Sequence, residues 1–253
     1  MGALAGTIGS PPSRLRPTLR RVSDLAENLA SVRQRIAAAC DRAARDPATV
    51  QLLAVSKKMS PDTVEAAAQS GLRLFGENRV QEAKAKIPLC PGHLRWHFIG
   101  HLQSNKCRDA AALFEMVHAL DSLPLAEELN ARCDQAARTL PVLLEINVSG
   151  ESSKHGFSPE TALRDLAAIN ALPHLAIHGL MTMAPWSSIA EKARPHFQKL
   201  RELRTRCEDA LGAPLPELSM GMSGDFEVAI EEGTTLIRLG TALFGERKTE
   251  AID

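Results

Sequence analysis

The sequence predicts an α/β protein built as one (β/α)8 TIM barrel. Three observations carry that prediction. Eight short apolar runs recur along the chain, and all but the last are followed by a helix-forming pattern. The 253 residues match the length of about 250 that such barrels use. The residues closing the apolar runs are polar, as they should be where strand C-terminal ends form an active face. An open, doubly wound sheet is the alternative that the same alternation allows.

Residues 1–20, with Pro11-Pro12 and Pro17, read as a disordered tail, and residues 21–253 as a single barrel domain. Leu25, Leu29, Val32, Ile36 and Ala39 recur at three- and four-residue steps, which predicts an amphipathic helix over Val22 to Ala44, stopped by Asp46-Pro47. Strand one is read over Leu52–Ser56, followed by a helix over 61–69 closed by Gly71. Strand two covers Leu72–Phe75, with a helix over 78–86. Strand three covers Arg95–Ile99, with a helix after Ser104. Strand four covers Glu115–Ala119, with a long helix over Ser122–Arg138. Strand five covers Val142–Val148. It leads to Ser158-Pro159-Glu160, an N-cap with proline at the first helical position. Strand six covers Leu175–Met181, with a helix over 188–211. Strand seven covers Glu217–Met220, with a short helix over 224–232, and Thr235–Leu239 is strand eight. The chain ends soon afterwards, so the N-terminal helix is expected to cover the place of an eighth outer helix.

Composition narrows the function. Hydrophobic residues at 44% and charged residues at 24% are ordinary for a globular chain. Thirty basic and thirty acidic side chains cancel, which argues against nucleic acid or an anionic membrane as a bulk electrostatic partner. No apolar stretch approaches the ~20 residues of a membrane span. Gly, Ser, Pro and Arg interrupt residues 1–21, so no signal-peptide core is read there and a cytoplasmic location is expected. Cys40, Cys90, Cys107, Cys133 and Cys207 are odd in number, widely spaced and without a C-x-x-C pair. They are expected to be reduced thiols, with no metal site. The chain contains no tyrosine, which removes a common acid/base group.

Lys57 stands at the mouth of strand one. A lysine there can reach a cleft, lose hydration and become nucleophilic toward a carbonyl; the alternative is an exposed lysine ending the strand. Ser223-Gly224 and Gly240-Thr241 close strands seven and eight. Small residues at such turns let backbone N–H groups converge on an anion, and loops after strands seven and eight are a recurring phosphate site of this fold. Plain tight turns would also use glycine. A lysine opposite a phosphate cup describes a site for a phosphorylated aldehyde, and pyridoxal 5′-phosphate meets that description. Arg238 is a candidate partner for the pyridine nitrogen, which would stay unprotonated beside a guanidinium. A surface ion pair with Glu231 or Glu232 is its other reading. His101 reads as an acid/base group or as a loop histidine that only hydrogen-bonds. Asn78 and Asn147 read as cofactor-positioning residues or as helix caps. Met181-Thr182-Met183 reads as packing in the barrel wall.

Several of these motifs together resemble a known family. They are Leu53-Ala54-Val55-Ser56-Lys57; Phe75-Gly76-Glu77-Asn78 with Val80-Gln81-Glu82; and Trp96-His97-Phe98-Ile99-Gly100-His101-Leu102-Gln103. Ser219-Met220-Gly221-Met222-Ser223 with Asp225 and Ile237-Arg238-Leu239-Gly240-Thr241 with Phe244-Gly245 complete the set. Over about residues 25 to 247 the chain resembles the pyridoxal phosphate homeostasis protein family, related to the N-terminal barrel domain of alanine racemase. The resemblance implies a fold-type III barrel with the cofactor on Lys57 as a Schiff base. It implies that Ser223, Gly240 and Thr241 hold the phosphate, that Arg238 lies near the pyridine nitrogen, and that Asn78, His101 and Asn147 surround the cofactor. It further implies a monomer that buffers or delivers pyridoxal phosphate, with apo-enzymes that use the cofactor as possible recipients. Arg79 stands where the family usually carries Tyr, and Lys58-Met59 where a Thr-Lys-Pro-like run is frequent.

A non-catalytic carrier and an amino-acid racemase are the two main functional readings; a barrel for some other phosphorylated sugar or aldehyde would keep the phosphate cup but leave Lys57 unexplained. Two-base racemisation needs an acid/base group on each face of the α-carbon. In alanine racemase the second base is a tyrosine on an additional domain, and this chain has neither. A bare barrel also leaves one side of the cofactor to solvent. The carrier is therefore the expected function.

Overall fold

Burial on both faces decides the strands. The computed structural model describes residues 17–151 and 154–246, and within them eight strands run parallel in chain order. These are β1 (Gln51–Val55), β2 (Leu74–Glu77), β3 (Arg95–Phe98), β4 (Met116–Leu120), β5 (Leu140–Glu145), β6 (Leu175–Met181), β7 (Glu217–Ser219) and β8 (Leu236–Leu239). Every residue of β2, β4 and β8 is buried, the pattern of a parallel sheet covered on both sides. β8 closes on β1 with Leu53 opposite Arg238 and Ala54 opposite Leu239, which excludes the open doubly wound sheet.

The outer layer consists of α1 (Pro17–Arg42), α2 (Pro61–Gln69), α3 (Val80–Lys86), α4 (Cys107–Leu113), α5 (Leu123–Gln135), α6 (Pro159–Asn170), α7 (Arg194–Leu211), α8 (Phe226–Glu231) and α9 (Thr241–Phe244). Local chemistry starts several of them. Ser60 and Ser158 each accept a bond from the N–H three residues on, with proline at the first helical position. Gly212, at φ +63°, ends α7.

α1 takes the place of an eighth outer helix, because its apolar stripe of Leu25, Leu29, Val32, Ile36 and Ala39 is buried. Asn28 Nδ2 donates to the carbonyl of Leu243 in α9 at 3.0 Å. Arg35 forms a two-pronged bond to Glu227 of α8, its guanidinium 4.5 Å above the Phe226 ring. The predicted tail of residues 1–20 lies outside the described residues as far as residue 16, and α1 begins at Pro17.

Three strand ends differ from expectation in ways that shape the site. β2 starts at Leu74, because Gly71 at φ +95° ends α2 and Leu72-Arg73 make the connection. β5 ends at Glu145, so Asn147 belongs to the loop beyond it. β7 ends at Ser219, which lengthens the loop carrying Ser223. One apolar cluster fills the space between helices and barrel. A second fills the lumen, with Leu53, Val55, Leu74, Met116, Leu143, Met181 and Leu236 among its members. All five cysteines are free thiols, four of them buried; burial pushes Cys107 up to about 12 and Cys207 up to about 11.

Candidate functional site

The strand C-terminal ends form one rim, and Lys57 stands on it just past β1. Lys57 is half-buried, between buried Ser56 and exposed Lys58, whose φ is +64°. A cluster beneath the rim holds both neighbouring peptides. Lys86, the last residue of α3, donates to the Ser56 carbonyl, to Glu77 Oε1 and to Glu82 Oε1, each at 2.8 Å. Glu82 Oε1 also accepts the backbone N–H of Lys58. Ser56 Oγ adds a 2.6 Å bond to Glu77. Burial pushes the Glu77 carboxyl upward, opposed by its bonds to Lys86 and Ser56.

Arg238 reaches from β8 past β7 to the end of β6. It is 4% exposed, and its guanidinium donates to Ser219 Oγ at 2.5 Å and to the Thr182 carbonyl at 2.8 Å. Burial depresses it to about 10, against the pull of Asp225 and Glu145. The surface-pair reading of Arg238 is overturned: Glu231 pairs with Arg42 and Arg194, and Glu232 with Arg194 and Arg201. Glu145 is pushed up to about 7, first by burial and then by Asp121.

The loops after β7 and β8 meet. Ser223 Oγ accepts the N–H of Ala242 at 3.2 Å, and the backbone N–H of Arg238 donates to the Gly221 carbonyl at 3.0 Å. Glycine is required at 221, where φ is +93° and a Cβ would lie 2.6 Å from that of Ala229. A Cβ at Gly240 would lie 3.6 Å from that of Val55, so the strand-eight turn lies against the strand that leads to Lys57. Thr241 is exposed at the start of α9. Asn78 follows β2 and is half-buried; Gly100 lets the β3 loop close over it, since a Cβ there would lie 2.4 Å from the Asn78 carbonyl.

The structure thus gathers Lys57, Asn78, Ser223, Arg238, Gly240 and Thr241 on the adjoining ends of β7, β8, β1 and β2. The other two predicted site residues are engaged elsewhere. Asn147 spends its amide on its own loop, donating to the Glu151 carbonyl at 2.8 Å and accepting from Ser149 Oγ and the Gly150 N–H. His101 is exposed, bonded through Nδ1 to Asp121 at 3.0 Å and stacked on His155 at 3.7 Å and 14°. Donor atoms of His101, Asp121 and His155 lie within 4.8 Å of one another. In this geometry the two rings lie nearly parallel, face to face, with Asp121 on the Nδ1 edge of His101. Neither asparagine caps a helix: Arg79 occupies the N-cap position of α3 and Ser158 that of α6.

Comparison with known proteins agrees with this architecture. The family described as alanine racemase, N-terminal domain, matches residues 27–248. A pyridoxal phosphate homeostasis protein of Aquifex aeolicus is 44% identical over 223 residues, 88% of this chain and 98% of the relative. One of Pseudomonas aeruginosa is 47% identical over 229 residues, 89% of this chain and 97% of the relative. The chain belongs to the pyridoxal phosphate homeostasis protein family. The structure of PipY from Synechococcus elongatus with PLP bound matches at a TM-score of 0.76 and 37% identity, covering 87% of this chain and 100% of PipY.

Beneath the rim lie residues that sequence reasoning passed over. Lys86 and Glu82 are four apart on α3, a spacing that signals an ion pair but not its burial. Thr182 was read as wall packing, yet its carbonyl holds Arg238 and its hydroxyl bonds the Ile146 carbonyl at 2.7 Å. His118 interrupts an otherwise apolar β4, and His97 lies between Trp96 and Phe98 on β3, a signal that polar groups enter the lumen there.

Proposed function

We propose that this chain binds pyridoxal 5′-phosphate in the barrel mouth, held on Lys57 as a Schiff base, and serves as a non-catalytic reservoir that buffers or delivers the cofactor. The observation that carries this reading is the meeting of a rim lysine, a buried arginine and the joined β7 and β8 loops on adjoining strand ends. The names of the Aquifex and Pseudomonas relatives and the PLP bound by PipY support it.

The residues fit the group. Ser223 and Thr241 bring hydroxyls to the β7 and β8 ends, and a Cβ at Gly224 would meet nothing within 4 Å, which leaves open space before that backbone. Ser223, Gly240 and Thr241 would hold the phosphate, and Asn78, on the β2 end beyond Lys57, would stand beside the cofactor. When bound, the cofactor supplies an aldehyde carbon for reversible capture of an amine, and an electron-poor ring. Arg238 donates but does not give up a proton, so it would leave the ring nitrogen unprotonated, which suits holding better than turnover. His101 and Asn147 would contribute by shaping the rim loops. The same reading places the protein in the cytoplasm, as a monomer that hands the cofactor to apo-enzymes. No described helix is long and apolar enough to cross a membrane.

Borohydride reduction followed by peptide mass mapping tests the linkage. One adduct is expected, on the peptide bearing Lys57, and Lys57→Ala should lose it while keeping its circular dichroism. Transfer to an apo-enzyme, run beside racemisation assays on a panel of amino acids, tests the carrier role. Robust turnover of any amino acid would replace the carrier by the racemase reading.

A further inference from the structure

Four buried side chains form a continuous hydrogen-bonded line through the barrel lumen. Arg238 on β8 donates to Ser219 on β7 at 2.5 Å. Ser219 Oγ lies 3.0 Å from His118 Nδ1 on β4, and His118 Nε2 lies 3.0 Å from His97 Nδ1 on β3. Ser219 and His118 are fully buried, and His97 is 2% exposed. β4 and β7 are not neighbours, so the Ser219–His118 contact spans the lumen rather than following the wall.

The direction of this line follows from two facts: a guanidinium has no acceptor, and His118 Nδ1 is the one further partner of Ser219 Oγ among the described residues, so the only one to take its proton. Ser219 Oγ must therefore accept from Arg238, which leaves its single proton for His118 Nδ1. His118 must then carry its own proton on Nε2 and donate to His97 Nδ1. His97 is left with a proton on Nε2, the atom that has no partner among the described residues.

We propose that His118, backed by His97, is a positioning residue for Arg238, acting by accepting the hydroxyl proton of Ser219. With that proton drawn away, Ser219 turns a lone pair to the guanidinium, and the Thr182 carbonyl fixes its other arm. The scheme requires both imidazoles to be neutral, and burial depresses both, His97 to about 3 and His118 well below its ordinary value. A charged histidine at either place would also oppose Arg238 directly. The consequence for cofactor binding rests on the reading of Arg238 as the partner of the ring nitrogen.

The test has one arm without cofactor and one with it. In nitrogen-15 NMR of the unloaded protein, His118 should show a bare Nδ1 and a protonated Nε2, and Ser219→Ala should shift the Nδ1 resonance. In the loaded protein, His118→Leu and Ser219→Ala should each weaken cofactor binding about tenfold, as for loss of one bond to a charged group, and move its visible band. The double variant should be no worse than either single one. His118→Asn, whose amide oxygen replaces Nδ1 as acceptor, should recover most of the affinity, and it keeps the question open to experiment if His118→Leu does not fold. A protonated Nδ1, an unshifted band in both His118→Leu and Ser219→Ala, or His118→Asn as weak as His118→Leu would overturn the proposal. A wild-type protein that passes the NMR arm but takes up no cofactor would overturn the reading of the site and leave the hydrogen-bond direction standing.

Discussion

The Lys86 ammonium donates to the carbonyl of Ser56 across 2.8 Å and thereby grips the peptide that precedes Lys57. Glu82, bonded to the same ammonium, grips the Lys58 N–H that follows. One buried cation from α3 thus sets the backbone on both sides of the proposed cofactor lysine. Both Lys86 and Glu77 are almost wholly removed from solvent.

Lys86→Met is expected to strand two carboxylates and to cost about 3–5 kcal/mol in urea unfolding. Borohydride trapping at Lys57 should slow in the same variant. Adding Glu77→Gln should restore part of the stability, because the buried charge goes with its partner. A single variant as stable as wild type would show that the cluster does not hold the rim.

Lys58 occupies the left-handed region at φ +64°, where a side chain costs about 1–2 kcal/mol that glycine does not. Lys58→Gly should therefore be neutral or stabilising, and Lys58→Val should lose more than about 1 kcal/mol. Equal losses in thermal melts of the two would argue that the side chain, not the backbone, matters here.

Glu145 binds a proton more tightly folded than unfolded, since its carboxyl stands at about 7 against an ordinary 4.5. Between those values the native state holds more protons than the unfolded chain, so this group's contribution falls as pH rises, by up to about 1.4 kcal/mol per pH unit. Glu145→Gln should lose that dependence and gain stability relative to wild type above pH 7. His97 and His118 act in the opposite sense, weakening the fold as pH falls below about 6.5. The wild-type and Glu145→Gln unfolding curves should be subtracted at each pH to isolate the carboxyl. A difference flat from pH 4.5 to 7.5 would count against the buried assignment.

Ser223→Ala with Thr241→Ala removes both hydroxyls from the β7 and β8 ends and frees the Ala242 N–H. The pair should release pyridoxal phosphate about tenfold faster in dialysis, from loss of bonds to a charged group, with the melting temperature changed by only a few degrees. Unchanged retention would remove the hydroxyls from the proposed phosphate site.

Much of the barrel was legible because its signals are local. α2 and β6 carry the predicted bounds, Pro61–Gln69 and Leu175–Met181; α2 starts at the Ser60-Pro61 cap, and β6 is an apolar run broken only by His178-Gly179. Strand ends were read less well where register decided them, as at β2, β5 and β7. Lys57, Ser223, Gly240 and Thr241 were legible as residues at strand mouths, which is where the structure has them. His101 and Asn147 were placed at the right rim, but their commitments to Asp121, to His155 and to a loop of their own depend on packing that no spacing reveals.

The chain's own order of apolar runs and caps determined eight parallel strands and put a lysine, two hydroxyls and an arginine at their ends. Tertiary structure alone decided that Arg238 is buried, that Lys86 lies under Lys57, and that His118 reaches Ser219, 101 residues away. The physical reason is that periodicity encodes which face of an element is apolar. Which polar groups share a lumen is fixed only when the barrel closes, and burial then forces each of them to find a partner.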